Sequence, residues 1–439
     1  MELEQAMEAD GNEDKTFAAM GVAKTITTVV NAVDSNPEIL AQVQEIIIPI
    51  VKLTLDAKLL DLFDNMYDLV DALTFKLRSI SPNMWPVFEL TYKLFKSDAV
   101  DFLDEMLPSL DNFVSFGVDV FKARPDYCKM VLDIYQTSIT SDHLGENDAV
   151  NGCKLAESLL LNLRGSVDDA LPAIIGTALP VIEKAETNAL KLATLNVVVN
   201  AVLYNPGAAL HILNQAGPTT APAFFEKWFA AINVESRLPR VHDKKLSIVA
   251  LCALMEMDPT VIPESVQAGF PGVVSGALKL FQEYPKAVQD LGLLARKDLQ
   301  EAFEEGDDDD DDDDDSKFLN MNEEDDDVWD EDSAYVEMLA NESQRLREKS
   351  VKQANGEETS DDEEEDDIEE ELGYISPLDI VDPYITFKQA LTTFQMKNGN
   401  GYQIATTSLT AELQTFLMEV MRLADEHAAA AAAVVVPSA

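Results

Sequence analysis

Apolar residues recur at intervals of three and four positions through the first three hundred residues of this 439-residue chain. Such spacing places apolar side chains on one face of a helix. The three clearest stripes are Leu59, Leu62, Phe63, Met66, Val70, Leu73 and Leu77; Leu192, Leu195, Val198, Val199 and Val202; and Leu246, Val249, Ala250, Ala253, Leu254 and Met257. Sustained alternation of apolar and polar residues, the pattern of a half-buried strand, does not accompany them. The chain is therefore predicted to be all-α.

Helix-start signals divide this region into units of similar length. Proline is favoured at the first position of a helix, because an N–H there has no intrahelical partner. Successive signals lie 45, 43, 41, 40 and 53 residues apart, and they are Asn36-Pro37, Ser81-Pro82, Arg124-Pro125, Ser166 with Asp169 as a capping box, Asn205-Pro206 and Asp258-Pro259. A period near forty with two helices per unit is typical of HEAT and armadillo arrays. Residues 1–304 are predicted to form such a helical-repeat solenoid, and a bundle of unrelated long helices is the alternative.

The pattern changes after residue 300. Residues 301–372 hold 35 acidic residues against 5 basic ones, and nine consecutive aspartates run from Asp307 to Asp315. Like charges repel, and too little apolar area is present to offset the entropy lost on ordering. Residues 305–372 are therefore predicted to be an acidic, largely disordered insertion. A short amphipathic helix is expected within it near 333–352, marked by Tyr335, Met338, Leu339 and Leu346.

A further helical segment is predicted at 373–427. Its last helix carries an apolar face made of Leu413, Phe416, Leu417, Val420 and Leu423, and Thr410 is a plausible N-cap. Because the segment has its own apolar face, we expect it to dock onto the solenoid. Residues 428–439, which begin with six alanines followed by three valines, are interpreted as a low-complexity tail.

The charge of the chain is concentrated in the insertion. Residues 301–372 supply 30 of the 49 net negative charges, since 35 acids stand against 5 bases. A polyanion attracts basic proteins, whereas direct binding of DNA or RNA needs a positive face. Basic protein partners are therefore predicted, without direct nucleic-acid binding.

Candidate contacts for such partners lie within the acidic insertion. They are Asp307, Asp309, Asp311, Asp313, Asp315, Asp325, Asp327, Trp329, Asp330, Glu363 and Glu365. Trp329 stands among acids, where an aromatic ring can anchor against an arginine or an apolar groove. Ser360 precedes a run of acids and is a candidate phosphorylation site, which would deepen the negative field. The alternative interpretation is a solvating linker without a binding role.

No pattern in the chain points to catalysis, a metal or a cofactor. The four histidines are far apart, and no phosphate-binding glycine loop, GxSxG or HExxH motif is present. The aspartate run lacks the glycine and closing glutamate of an EF-hand loop. Cys128, Cys153 and Cys252 form no CxxC pair, and the start of the chain lacks a secretory pattern. With its longest aliphatic run only nine residues, 428–436, the chain is expected to be a soluble protein of the cytosol or nucleus, without membrane insertion.

Several stretches resemble the C-terminal part of the importin-7/importin-8 branch of the importin-β (karyopherin) superfamily. Before the insertion they are Ile80-Ser81-Pro82-Asn83-Met84-Trp85, Met106 to Val114, Tyr204-Asn205-Pro206, His242-Asp243-Lys244-Lys245 and Leu251-Cys252-Ala253-Leu254. After it they are Glu371-Leu372-Gly373-Tyr374, Val381-Asp382-Pro383-Tyr384 and Phe387-Lys388. The order of these stretches and the position of the acidic insertion match over most of the chain.

The resemblance implies a HEAT-repeat receptor that shuttles between cytoplasm and nucleus and carries cargo through nuclear pores. The implied partners are basic cargo proteins such as histones or ribosomal proteins, nucleoporin phenylalanine–glycine repeats, and Ran-GTP. Receptors of this family are much longer, and their Ran-binding region lies in N-terminal repeats without a counterpart here. The chain is thus expected to be the C-terminal part of such a receptor. The family's lysine- and glycine-containing end also differs from the alanine run after His427.

Two other functions remain open alongside the transport receptor. One is an acidic protein of histone-chaperone type that shields basic proteins, and the other is a passive helical-repeat scaffold. Binding to phenylalanine–glycine repeats would distinguish a transport receptor from the two other functions, because neither a shield nor a scaffold needs such binding. The identity of the cargo and the direction of transport stay open.

Overall fold

The structure, a computed structural model, describes residues 2–33, 37–234, 237–263, 269–304 and 374–434. Within these ranges the regular structure is helical and no strand occurs. The chain divides into two compact units, Met1–Val288 with Gly373–Ala439 and Gln289–Leu372. The first unit, called the helical stack here, holds most of the described residues.

Seventeen α-helices occur within the described residues. In chain order they are α1 (Glu2–Ala32), α2 (Pro37–Asp56), α3 (Phe63–Leu77), α4 (Trp85–Phe95), α5 (Leu103–Phe116), α6 (Val118–Ala123), α7 (Pro125–Thr140), α8 (Glu146–Asn162), α9 (Leu171–Lys184), α10 (Asn188–Tyr204), α11 (Pro206–Ala216), α12 (Thr220–Ile232), α13 (Val241–Met255), α14 (Phe270–Glu304), α15 (Pro383–Lys397), α16 (Gly399–Thr407) and α17 (Ala411–Val434). Short 3₁₀ turns precede α3 and α9 and follow α13.

Thirteen of the described helices form two layers, seven in one and six in the other. In the B layer each helix packs against the next, in the order α1, α3, α5, α8, α10, α13 and α15. In the A layer the order is α2, α4, α7, α9, α11 and α12. The first four A-layer helices also pack on the B helix that follows them in sequence. Because each helix pair contacts mainly its neighbours, the fold is an all-α HEAT-type solenoid. The fold class predicted from the repeat period is confirmed.

The apolar stripes predicted from spacing form the core of the stack. Phe63, Met66, Val70 and Leu73 of α3 are all buried. Helix α10 is buried on every side, with 13 of its 17 residues inaccessible, because it has neighbours in both layers. The predicted start of the first stripe is wrong, since Leu59 is 49% exposed. Helix α2 has already ended there, and the left-handed backbone of Lys58 (φ 55°) turns the chain.

Three of the predicted helix starts are confirmed. Helices α2, α7 and α11 begin at Pro37, Pro125 and Pro206. The Asn205 side chain accepts a hydrogen bond from the Ala208 N–H at 3.1 Å, which caps α11 as an asparagine at this position can.

The other three signals mark turns rather than the first residue of an α-helix. After Ser81-Pro82 a turn closes through the Met84 N–H and the Ser81 carbonyl at 3.0 Å, so α4 begins at Trp85. The Ser166 capping box is wrong, because a 3₁₀ turn at Asp168–Ala170 precedes α9.

Asp258-Pro259 opens only a 3₁₀ turn, Pro259–Val261, before the chain continues to α14. The Asp258 carboxylate accepts from the Thr260 N–H at 2.9 Å, a local bond that competes with helix propagation.

Polar ties repeat along the A layer with the same period as the helix pairs. They join residues 38 to 44 positions apart, and they are Asn83 to Glu45 at 2.9 Å, Tyr92 to Asp133 at 2.8 Å, Gln136 to Thr177 at 3.4 Å and Lys227 to Glu183 at 3.2 Å. Most of these groups are partly solvated, so each contributes little to stability. Their common period shows that successive helix pairs are stacked in the same register.

The segment after the acidic insertion packs against the end of the stack, as its apolar face led us to expect. Phe281 of α14 contacts Tyr384 and Phe387 of α15, with ring centroids 4.6 and 5.3 Å apart. The Lys245 ammonium donates to the Asp379 carbonyl at 3.0 Å. The domain boundaries inferred from composition stay predictions.

The predicted cap of the last helix is confirmed. The Leu413 N–H donates to the Thr410 hydroxyl at 3.2 Å, so Thr410 is the N-cap of α17. Helix α17 then extends to Val434, through the alanine run that follows His427.

Replacing Gly152 with alanine is expected to lower the free energy of unfolding by about 1–3 kcal/mol. A Cβ at this position would lie 1.8 Å from Ser138 Oγ and 2.9 Å from Ser138 Cβ, so α7 and α8 would have to separate. Urea unfolding followed by circular dichroism measures the effect.

Gly176→Ala is the matched control, because Gly176 is exposed on α9 and no atom lies within 4 Å of its added Cβ. This substitution should stabilise the protein by about 0.5–1 kcal/mol through lower backbone entropy of the unfolded chain. Equal stability of the two variants would show that α7 and α8 do not approach as closely as described.

Candidate interaction surface

The contacts predicted from sequence lie outside the described residues. This holds for the short helix expected near 333–352, for the candidate phosphorylation site Ser360, and for all candidate cargo contacts: Asp307, Asp309, Asp311, Asp313, Asp315, Asp325, Asp327, Trp329, Asp330, Glu363 and Glu365. Their binding role stays a prediction. The described residues reveal a different group of carboxylates, on the B layer of the stack.

A line of asparagine–carboxylate hydrogen bonds, here called the asparagine seam, joins neighbouring B helices. Each asparagine amide donates to an acid 41 to 47 positions away, and the pairs are Asn112 to Asp71 at 2.7 Å, Asn151 to Asp104 at 3.0 Å, Asn200 to Glu157 at 2.5 Å and Asn196 to Asp243 at 2.8 Å. All four asparagines are buried. A buried amide must find a partner, so each bond restricts how one B helix can shift along the next.

At the α13 end of the seam, the acids face two basic residues. Arg240 directly precedes α13, and His242 lies in its first turn. Burial lowers the pKa of His242, but the hydrogen bond and charge of Glu157 outweigh it, and the net pKa is raised. His242 Nε2 and Glu157 Oε2 are 3.9 Å apart. Burial raises the pKa of Asp243, but the Arg240 guanidinium at 2.7 Å outweighs that effect and lowers it. At this end of the seam each of the two acids therefore faces a basic residue.

The other end carries acids that basic residues offset less. On α3 and α5 the carboxylates of Asp64, Asp68, Asp71, Glu105 and Asp111 lie close enough to interact through their charges, and they form what is called the acidic face here. The charge of Lys24 lowers the pKa of Asp68 and that of His242 lowers the pKa of Asp111, but burial outweighs both effects. Asp64 and Asp68 are exposed, Asp71 and Glu105 are partly buried, and Asp111 is buried. Within the described part of the chain, none of these five carboxylates has an ion-pair partner within 4 Å.

Burial and mutual repulsion disfavour the charged forms on this face. Burial raises the pKa of Asp71 to about 6, and the charge of Asp68 adds to the rise. Burial likewise raises the pKa of Asp111 to about 6, with the charge of Asp71 adding to it. The pKa of Glu105 and that of Asp68 are raised as well, first by burial and then by neighbouring acids. Cationic groups brought to this face would stabilise the ionised carboxylates.

Sequence reasoning did not single out the seam or the acidic face, although one signal was available. Asn196 and Asn200 stand one helical turn apart inside an otherwise apolar run of α10. A polar residue at a position that the spacing places in the core almost always has a hydrogen-bond partner. The two asparagines therefore indicate buried hydrogen bonds to another helix. Which element supplies the partner could not be read from the sequence.

The other chemically reactive residues form no shared site. Among the described residues no group of histidines, cysteines and acids could hold a metal ion. Burial raises the pKa of the Cys153 and Cys252 thiols. His143 and His211 are exposed, whereas His427 contacts the Asp382 carboxylate at 2.6 Å. In the described ranges, no helix is long and apolar enough to cross a membrane.

The fold and its surface define a helical-repeat protein of the HEAT type with an acidic face, and comparison with known proteins narrows the class. The chain is 28% identical to human (Homo sapiens) importin-8 over 434 residues, which is 96% of this chain and 39% of importin-8. It is 27% identical to the importin beta-like SAD2 homolog of Arabidopsis thaliana, covering 92% of this chain and 39% of the relative. Nonsense-mediated mRNA decay protein 5 of Saccharomyces cerevisiae is also 27% identical, over 93% of this chain and 39% of its own length.

The chain is thus similar along most of its length to importin-8 and its homologues, and the predicted resemblance to importin-β-type receptors is confirmed. It spans about two-fifths of the length of these curated relatives. No protein-family model and no solved structure matches the chain.

Asp111→Asn is expected to make stability less dependent on pH. Folding raises the pKa of Asp111 from 3.8 to about 6, so the folded state binds the proton more tightly than the unfolded state. The contribution of Asp111 to the free energy of unfolding is therefore greatest below pH 4 and is lost as the pH rises through about 6. Relative to wild type, the variant should gain on the order of 1–3 kcal/mol between pH 4 and pH 7.

Urea unfolding at several pH values measures this difference. Asp142→Asn, which changes an exposed aspartate in a loop, is the control and should show no such gain. A constant offset between Asp111→Asn and wild type across the pH range would contradict the assignment.

Proposed function

We propose that this chain is a helical-repeat segment of a nuclear transport receptor and that it binds basic cargo proteins. The observation that carries the proposal is the similarity to importin-8 and its homologues over more than nine-tenths of the chain. The chain spans only about two-fifths of those relatives, so transport itself belongs to the proposal. Transport receptors bind and release cargo without chemistry, which agrees with the absence of a catalytic motif in the sequence.

Electrostatics supports basic cargo. The net charge is −49, and the acidic face contributes to it five carboxylates whose mutual repulsion and burial are only partly offset by Lys24 and His242. A lysine or arginine placed beside Asp68 and Asp71 would gain attraction in a partly desolvated setting, where charges interact more strongly than in bulk water. The same charge repels phosphate backbones, so direct binding of nucleic acid is not proposed.

The acidic insertion is proposed to act together with this face. Its aspartates, Asp307 to Asp315 among them, raise the local concentration of basic proteins around the stack, and Trp329 offers an aromatic anchor. The acidic face would then hold cargo side chains at defined positions. In this proposal the insertion attracts the cargo, and α3 and α5 then hold it in place.

The remaining partners and the location in the cell follow from the receptor role. Nucleoporin phenylalanine–glycine repeats are proposed partners of the stack, with shuttling between cytoplasm and nucleus. Ran-GTP is proposed to act on the longer receptor, through repeats without a counterpart in this chain. Histones and ribosomal proteins are the proposed classes of cargo.

An acidic histone-chaperone-like shield is the second candidate function, because the concentration of charge at 301–372 would serve it equally well. Both functions predict binding of basic proteins. Phenylalanine–glycine repeats distinguish them: a transport receptor should retain immobilised repeats, whereas a shield should pass through the column. Retention is the expected result. Flow-through with intact histone binding would favour the shield.

Neutralising the acidic face should weaken binding of a purified linker histone. The variant Asp64→Asn/Asp68→Asn/Asp71→Asn removes three acids of α3, and we expect its Kd at 0.1 M salt to rise about 3- to 30-fold, at roughly 1 kcal/mol or less per solvated contact. Its affinity should also fall less steeply with salt, because fewer charge pairs are screened. Fluorescence anisotropy between 50 and 300 mM salt measures both quantities.

The matched control is Asp119→Asn/Asp142→Asn/Asp169→Asn, which removes the same charge from three separate places. In a further variant, all nine aspartates from Asp307 to Asp315 are changed to asparagine. This variant measures how much the insertion contributes to histone binding. If the α3 triple variant and the scattered triple variant bind equally, the acidic face has no special role in cargo binding. If none of the three variants weakens binding, the proposal of basic cargo fails.

A further inference from the structure

Helix α17 is held on the stack by few buried side chains. Of its residues, Leu417, Val420 and Ala424 are buried, and Met418 on its outer side is 70% exposed. Four more apolar side chains are only partly buried against the core: Leu413, Phe416, Met421 and Leu423. Helix α10, in the middle of the stack, buries 13 residues over a shorter length. Apolar burial is the main source of helix stability in a protein, so α17 is much more weakly attached than α10.

Two polar contacts fasten the C-terminal part of α17 to α15. His427 Nδ1 lies 2.6 Å from Asp382 Oδ2, and Lys388 forms an ion pair with Asp425. Asp382 is also the N-cap of α15, because its Oδ1 accepts from the Ile385 N–H at 2.9 Å. One carboxylate therefore both starts α15 and holds the far end of α17. All four side chains of these contacts are partly solvated, so neither contact is strong by itself.

The surface under α17 is apolar. Tyr384, Lys388 and Leu391 share one face of α15 at helical spacing, and Tyr384 and Leu391 are buried. The Tyr384 and His427 rings are 4.9 Å apart, edge to face. Phe387 and Tyr384 also contact Phe281, so α15 stays anchored to α14 without help from α17.

We propose that α17 is a releasable strap over α15. It opens as a unit while α13, α14 and α15 stay packed, and it closes again through the His427–Asp382 and Lys388–Asp425 contacts. The closed strap ends the B layer, since α17 takes the place where the next B helix would pack. The open strap uncovers the side of α15 on which Tyr384 meets His427 and Lys388 meets Asp425.

Hydrogen–deuterium exchange of the full chain tests this strap. In wild type, amides at 414–427 should exchange at least about tenfold faster than the core amides of α10 and α13, because local opening requires less free energy than unfolding of the stack. His427→Ala should increase exchange in α17 several-fold further and leave α10 and α13 unchanged. His143→Ala, which alters an exposed loop histidine, is the control and should change neither.

Val420→Asp is the stronger variant, because it places a charge in the centre of the buried contact. It should bring α17 to exchange rates close to those of an unstructured peptide while α10 and α13 keep their protection. The proposal is overturned if α17 exchanges only together with α13, if His427→Ala leaves α17 as protected as in wild type, or if Val420→Asp removes the protection of α13 as well.

Discussion

The stack depends on one constraint: an amide N–H that is buried between two B helices needs an acceptor, and here the neighbouring B helix supplies it. Asn112, Asn196 and Asn200 meet this requirement by donating to acids of neighbouring helices. Apolar packing alone would allow one helix to slide along another by a turn at modest cost. A buried amide that loses its acceptor costs about 1–3 kcal/mol, so the seam selects one register. The helix-start signals in the sequence and the hydrogen bonds between helix pairs both recur about every forty residues. Both intervals reflect the length of one helix pair.

The seam also explains where negative charge accumulates. Each asparagine requires an acid opposite it, and burial then makes that acid costly to ionise. At α13 the cost is offset by Arg240 and His242, whereas on α5 the charge of His242 lowers the pKa of Asp111 without outweighing its burial. The surface that results from a packing requirement is thus suited to receive lysine or arginine from another protein. Under the proposed function, Asp71 would serve both the packing of α3 on α5 and the binding of cargo.

Sequence reasoning predicted the repeat fold well because the signals are local. Apolar spacing reports which helix face is buried, and Pro37, Pro125 and Pro206 mark helix starts through backbone chemistry alone. It failed where two local preferences compete, as at Asp258, whose carboxylate closes a turn instead of starting an α-helix. For the candidate site it indicated basic partners through net charge, but it placed all contacts in the acidic insertion. The acidic face was missed because α3 and α5 are separated in sequence.

By itself the sequence determined that this is an all-α repeat protein with an excess of negative charge and with the stretches typical of importin-8 relatives. Those properties depend on composition, spacing and short motifs, which need no knowledge of what packs where. The tertiary structure decided which acids are buried, which are neutralised and which remain uncompensated. It also decided that one carboxylate, Asp382, serves both α15 and α17. Such outcomes depend on distances between side chains some forty residues apart, and only packing sets those distances.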